Sequence, residues 1–475
     1  MNRTGSRCLL AACAAAALLL VSPLRAQTRP DLAGADRLCE AGKYEEALAA
    51  YQAAIAAAPD LAAAYSGAGK CLIGLNRVSE AVALLEKAVK QPAADAENCA
   101  VLGQAYYWDA TRVMNDPDDP RAGYEPLILA DAETQLKRAI ERDSSLHVAH
   151  YYLGKVRVLL ERPAEAAAAF LEAARLAPAK FRAYKLQAYC EGAECLDQAG
   201  DPDGMRKAYA DAVAFDPTDR TIYESIWKLF GAKKERHADG LALLQALAKS
   251  RPSAAMPLYY IAYFHGAMEQ KKEARQAFEK VIQTAEGKKF SAAWARLGEI
   301  YFREDGDEKK AETFLLKALD LNAADVEAAA FLQFLAARAK ERGDLGRFVA
   351  IQEAILKRQP TNGQVWNNLA WYYHDRRQLA EAAKHYKKAL EYAPDDPVIK
   401  CGAAKVMNDL NRNQEAEQLW QDALGIDPNN VDALMNYGWF LKKHGRPKEA
   451  AEKFAKVVEV DPGNRRAREE LERLR

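Results

Sequence analysis

The stretch from Val365 to Asp396 reads VWNNLAWYYHDRRQLAEAAKHYKKALEYAPDD, with large apolar side chains spaced three and four apart and alanine at Ala370, Ala382 and Ala389. That spacing gathers the apolar positions on one face of a helix. The same order of sizes returns downstream. Ala404, Ala416, Trp420 and Ala423 precede Pro428, and Gly438, Ala450, Phe454 and Val457 precede Pro462; Pro394, Pro428 and Pro462 stand 34 residues apart. The amino-terminal half carries the pattern too, as Ala35, Ala47, Tyr51, Ala54 and Pro59, then Gly69, Ala81, Leu85 and Ala88, then Gly154, Ala166, Phe170, Ala173 and Pro178. Ala193, Tyr209, Ala212 and Pro217 follow, with Met205 where the second alanine is expected.

Small residues at a crossing let two helix axes approach closely, so Ala370 and Ala382 predict a tight pair over which Trp366, Tyr373 and Tyr386 close. Proline ends each second helix because it lacks an amide hydrogen and restricts its predecessor. One pair cannot bury its apolar face alone. Stacked pairs can, and the charged end RRAREELERLR, Arg465–Arg475, is suited to cap the last face.

This unit resembles the tetratricopeptide repeat. The copy beginning near Gly363 matches the family pattern at Trp366, Leu369, Ala370, Tyr373, Ala382, Tyr386, Ala389 and Pro394. The resemblance covers nearly all of the chain beyond its first residues. It implies an all-α, right-handed superhelical solenoid of about twelve helix–turn–helix repeats with a C-terminal capping helix. The expected organisation is a signal peptide over 1–26, an N-terminal subarray over 27–217, a degenerate repeat over 218–252 and a C-terminal subarray with its cap over 253–475. The first subarray is interrupted by NDPDDPRAGYEP, Asn115–Pro126, an acidic, proline-rich loop expected to project from the stack. In 218–252, Lys228 and Gly240 replace the small pair; 325–360 also fits poorly, and the turn between Tyr301 and Ala311 carries one extra residue.

The first residues are of another kind. Arg3 and Arg7 precede the uncharged run Cys8–Val21, followed by Ser22, Pro23 and Leu24-Arg25-Ala26. This is the layout of a cleaved secretory signal, with the mature chain beginning at Gln27 in the periplasm or outside the cell. A second reading takes Leu10-Ala11-Ala12-Cys13 as a lipobox with a lipid anchor on Cys13. The run is short for a membrane span, which needs roughly 20 residues. No other segment is apolar enough to span. Six cysteines remain, Cys39, Cys71, Cys99, Cys190, Cys195 and Cys401, all within helical segments. They read as small buried side chains, with Cys39 and Cys71 the pair to check for a disulfide.

The charges balance, 67 basic against 67 acidic. A nucleic-acid partner would call for a basic stripe, and none is expected. Reactive constellations dissolve on inspection. Gly67-Ala68-Gly69-Lys70 lacks phosphate-loop spacing, and Gly69 already serves as a small repeat residue. His147 and His150 lack further metal ligands, and Asp116, Asp118 and Asp119 lack calcium-loop spacing. No catalytic residue, metal or cofactor is expected, and the chain is read as non-enzymatic.

What remains is the groove. In the family, the first helix of each repeat lines a concave surface. The resemblance places Asn367, Trp371 and His374, then Lys405 and Asn408, then Met435, Trp439 and Lys442 on it. Aromatics flanked by amide and basic groups suit a partner protein or peptide segment. The alternatives are that the same aromatics stack on glycans as an envelope-associated binding surface, or that the tryptophans fill space against the next helix. The family's carboxylate clamp is not expected here, because Asn367, Trp371, Gly402, Asp432 and Asn436 occupy its places and supply no cation.

Overall fold

The computed structural model describes residues 30–474; the expected signal peptide, Cys13 included, lies outside the described residues. Among the described residues there are twenty-five α-helices, three short 3-10 turns and no strand. They fall into two compact units divided between Leu243 and Leu244.

Unit 1 holds α1 (Ala33–Glu40), α2 (Tyr44–Ala57), α3 (Ala62–Gly74), α4 (Val78–Val89), α5 (Ala96–Asn115), α6 (Glu125–Arg142), α7 (His147–Leu159), α8 (Pro163–Leu176), α9 (Arg182–Gln198), α10 (Pro202–Phe215) and α11 (Arg220–Phe230). The division falls inside α12 (His237–Ser250), within the segment 218–252 whose repeat pattern is weak. Unit 2 continues with α13 (Ala255–Ala267), α14 (Lys271–Gln283), α15 (Ser291–Asp305), α16 (Glu308–Leu321), α17 (Val326–Glu341), α18 (Leu345–Leu356), α19 (Gly363–Asp375), α20 (Leu379–Tyr392), α21 (Pro397–Asp409), α22 (Asn413–Ile426), α23 (Val431–Lys443), α24 (Pro447–Val460) and α25 (Arg465–Leu474). In chain order these are twelve helix–turn–helix pairs and one terminal helix, the solenoid composition that the 34-residue register predicts.

Local chemistry sets the boundaries. The last four first helices, α19, α21, α23 and α25, open on a side-chain cap: Asn362 accepts from the Val365 amide at 3.2 Å, Asp396 from Val398 at 2.8 Å, Asn430 from Ala433 at 3.0 Å and Asn464 from Ala467 at 3.1 Å. Each cap satisfies an amide that the helix leaves without a partner. Most first helices close on a left-handed residue, glycine at Gly343 and Gly445 among others, but also Asn76, Glu161, Glu269, Arg377 and Asn411. Second helices α20, α22 and α24 stop two residues before Pro394, Pro428 and Pro462.

The alanines do what their size predicts. Ala370, Ala382, Tyr386 and Ala389 are buried in one cluster with Ile399, Ala403 and Val406, so the core runs from one pair into the next. Trp366 and Tyr373 pack on its edge, and the Trp366 indole donates to Pro360 O at 2.8 Å. At the carboxyl end, Ala467 is buried and Leu471 and Leu474 cover the cluster of α23 and α24, which makes α25 the cap.

Two of the three irregular segments have a local explanation. Residues 325–360 still form a helix pair, because Leu332, Leu335, Ala336, Ile351 and Ile355 supply a continuous core. Their pattern fails because Phe348 and Gln352 stand one repeat step before Ala382 and Tyr386. The insertion is not a free loop. It lengthens α5 to 20 residues and α6 to 18, and the remaining turn is tied back. Arg121 donates to Asp109 at 2.6 Å and to Asp119 at 3.2 Å, both aspartates being buried.

Candidate interaction cleft

Unit 2 contains a cleft of about 660 Å³ along its first helices. α17 contributes Gln333, Ala337 and Lys340; α19 contributes Gln364, Asn367, Asn368, Trp371 and His374; α21 contributes Val398, Cys401, Gly402 and Lys405. The spacing of three and four within each helix is one helical face. Second-helix residues Phe348, Gln352 and Tyr386 also line it, as do Asn430 and Asp432.

Four of the sequence-derived groove residues, Asn367, Trp371, His374 and Lys405, therefore come together. Trp371 is 36% exposed, and the Lys340 ammonium sits 3.3 Å from its ring centroid. His374 Nε2 lies 3.0 Å from an Asp409 carboxylate oxygen, which Arg377 also contacts at 3.0 Å. Lys405 and Lys340 form no ion pair among the described residues. Burial pushes the Cys401 thiol up, and Lys405 works against that shift.

The other four residues sit elsewhere. Met435 is 6% exposed and belongs to the core of α23 and α24. Trp439 packs against that core, with the Arg466 guanidinium of the cap 5.7 Å from its ring. Lys442 is ion-paired with Glu470 of the cap. Asn408 does not line the cleft, and its buried Oδ1 has no hydrogen-bond partner. The register that placed Met435, Trp439 and Lys442 on the groove takes no account of the terminal helix folding against their repeat.

Sequence reasoning missed Gln333, Lys340 and Gln352, because 325–360 reads as degenerate. The signal was present. One repeat step back from Asn367, Trp371 and His374 stand Gln333, Ala337 and Lys340, the residues α17 presents.

The other reactive-looking groups have structural partners. A Cβ on Gly67 would fall 2.3 Å from the Tyr51 ring, and one on Gly69 2.8 Å from Leu85. His147 stacks on Phe181 and meets Tyr184 edge-on; burial pushes its pKa down. His150 Nε2 lies 3.1 Å from Ser144 O. Arginine hydrogen bonds, with the backbone amide of Arg121, hold the Asp119 carboxyl below its usual range. No group of three metal-ligating side chains occurs among the described residues, and no described helix is long and apolar enough to cross a membrane.

Capped, paired helices on a 34-residue register, with a cleft along their first members, define a helical-repeat interaction scaffold. Models of the tetratricopeptide repeat match residues 38–100, 129–181, 291–325, 363–396 and 408–473, and the chain belongs to that family. Over 184 residues it is 23% identical to protein O-mannosyl-transferase TMTC1 of Homo sapiens, taking in 38% of this chain and 20% of that protein. Over 88 residues it is 33% identical to small glutamine-rich tetratricopeptide repeat-containing protein 2 of Mycosarcoma maydis, taking in 18% and 25%. Over 136 residues it is 29% identical to cytochrome c-type biogenesis protein CycH of Rhizobium meliloti (strain 1021), taking in 28% and 36%. The matches thus span well under half the length of these relatives. Among solved structures, the APC/C hetero-tetramer Cut9-Hcn1 is similar at 15% identity over 93% of this chain and 88% of that one, with a TM-score of 0.33. The C-terminal part of a TPR repeat-containing protein from Cytophaga hutchinsonii is similar at 15% identity over 52% and 99%, with a TM-score of 0.39.

Proposed function

We propose that the chain is a non-catalytic scaffold that holds a segment of a partner protein in the unit 2 cleft, and that it works in the cell envelope or outside the cell. The observation that carries this reading is the cleft itself, with a partly open indole, carboxamides and two unpaired lysines aligned along three successive first helices. Such a lining combines an aromatic anchor with polar groups able to pair a main chain. The relatives named O-mannosyl-transferases match over a small part of their length, and we carry no transferase activity to this chain.

The test is retention of envelope polypeptides by the immobilised chain and by its Trp371→Ala variant, matched for helix content. Polypeptides held by the first and released by the second support the reading. A retained set indifferent to residue 371 contradicts it. Binding on a glycan array, lost in the variant, would select the second reading, in which Trp371 and its neighbouring amides stack on sugar rings. The export reading rests on the charged start and apolar run before Gln27. Amino-terminal sequencing should begin at Gln27; an intact Met1 contradicts export, and lipid on Cys13 selects the anchored form.

A further inference from the structure

Gln352 stands one repeat step before Tyr386, two before Trp420 and three before Phe454, all buried aromatic side chains. It is only 1% exposed and lines the cleft, yet its Oε1 has no hydrogen-bond partner. A buried acceptor without a donor bears the loss of water and gains nothing in return, and of the side chains in that state among the described residues Gln352 alone lines the cleft, where a donor can arrive from outside the chain. The second observation is the charge of the lining. Lys340 and Lys405 are unpaired, His374 is engaged by Asp409, and Asp432 is the one carboxylate among the lining side chains. The third is that Lys340 sits over one face of the Trp371 ring, which leaves the indole only partly open.

We propose that the cleft takes an extended acidic polypeptide segment: a carboxylate of the segment draws Lys340 off Trp371 and sits with Lys340 and Lys405, while an N–H of the segment donates to Gln352 Oε1. This rests on the reading of the cleft as a protein-binding site and names the chemistry of its occupant. A carboxylate makes a charge-assisted bond that outcompetes an exposed cation–π contact. Its arrival unmasks the indole face for an apolar side chain nearby, so acid and apolar residue are recognised together. Extension follows from the ladder of lining groups. The groups stand on three successive first helices, and an extended chain, advancing about 3.3 Å per residue, can present its main chain to each of them in turn. The carboxamides of Gln333 and Asn367 both donate and accept, as a main chain requires.

The experiment incubates the full chain with two randomised nonapeptide libraries, one built from Asp, Glu, Leu, Phe and Ser, the other with Asn and Gln in place of the acids, and with a set of neutral oligosaccharides. Retained species are read by mass spectrometry. The acidic library should be enriched about tenfold over its amide counterpart. That preference should vanish in Lys340→Gln/Lys405→Gln and persist in Lys340→Arg/Lys405→Arg. Gln352→Met should raise the melting temperature while lowering retention, an opposition that a purely structural glutamine would not give. If both libraries are retained equally and retention still needs Trp371, the protein-binding reading stands and the acidic occupant is overturned. If no peptide is held above a Trp371→Ala control, or oligosaccharides are held in their place, both are overturned.

Discussion

Gly438 and Phe454 share one volume: a Cβ on Gly438 would fall 2.8 Å from Phe454 Cε1. The same relation joins Gly154 to Phe170, at 2.7 Å, and the facing side chain in each case comes from the second helix of the same pair. Gly438→Ala should therefore force the pair apart and cost about 1–3 kcal/mol. The double variant Gly438→Ala/Phe454→Leu should recover part of the loss. Thermal unfolding checks both, and an unchanged melting temperature in Gly438→Ala contradicts the packing account.

Glu161 closes α7 with a φ of 56°, in the left-handed region. The turn needs it there, since Arg162 N donates to Arg157 O at 2.9 Å across the helix end. A residue with a Cβ pays for that conformation, and glycine does not. Glu161→Gly should stabilise unit 1 by up to about 1 kcal/mol, less the extra entropy of the unfolded glycine. Loss of stability in chemical denaturation would contradict the assignment.

Glu308 opens α16 with its carboxylate buried under three arginines, 3.3 Å from Arg338, 3.0 Å from Arg342 and 2.7 Å from Arg347. Burial alone would raise its pKa, but the Arg347 hydrogen bond and the arginine charges hold it below the ordinary glutamate value. A depressed carboxylate stabilises the fold above its unfolded pKa and loses that contribution as pH falls through the folded one. Relative to Glu308→Gln, the native chain should be more stable by about 2 kcal/mol at neutral pH, the exposed sides of the arginines limiting the gain. That advantage should hold down to about pH 5 and shrink below about pH 4. A difference that stays constant through acid pH would show that the arginines do not need the charge.

Among the described cysteines all six are free thiols; Cys39 is half-buried and Cys71, Cys99, Cys190, Cys195 and Cys401 are buried. Burial pushes Cys71 and Cys190 up to about 12 and Cys195 to about 11, Cys39 adding to the shift at Cys71. Thiolate is the reactive form, so these side chains are inert at pH 8 in the native fold. Alkylation followed by peptide mapping should mark Cys39 ahead of the other five. Labelling of Cys71 as fast as Cys39 would mean that the first repeat opens readily.

The fold was legible because it is written many times. Ala382, Tyr386 and Ala389 mean little alone, but their return before Pro428 and Pro462 fixes register, helix ends and core together. The shared face of Asn367, Trp371, His374 and Lys405 was legible for the same reason. Met435, Trp439 and Lys442 were not, since their surroundings depend on how α25 folds back, and a repeat pattern describes pairs rather than ends. Gln352 and Lys340 escaped because the pattern weights buried aromatics and alanines. A repeat that departs from it, as at Phe348 and Gln352, reads as degeneracy when it is a change in what lines the cleft.

Trp371 is the anchor of the cleft, and that role is tested most directly by the dissociation constant of a retained acidic segment, measured by fluorescence anisotropy against the native chain and Trp371→Ala. An aromatic anchor contributes about 2 kcal/mol or more, so the variant should bind roughly 30-fold more weakly or worse, with helix content and melting temperature unchanged. Equal affinity in the two chains, both folded, would contradict the assignment of this cleft as the binding site.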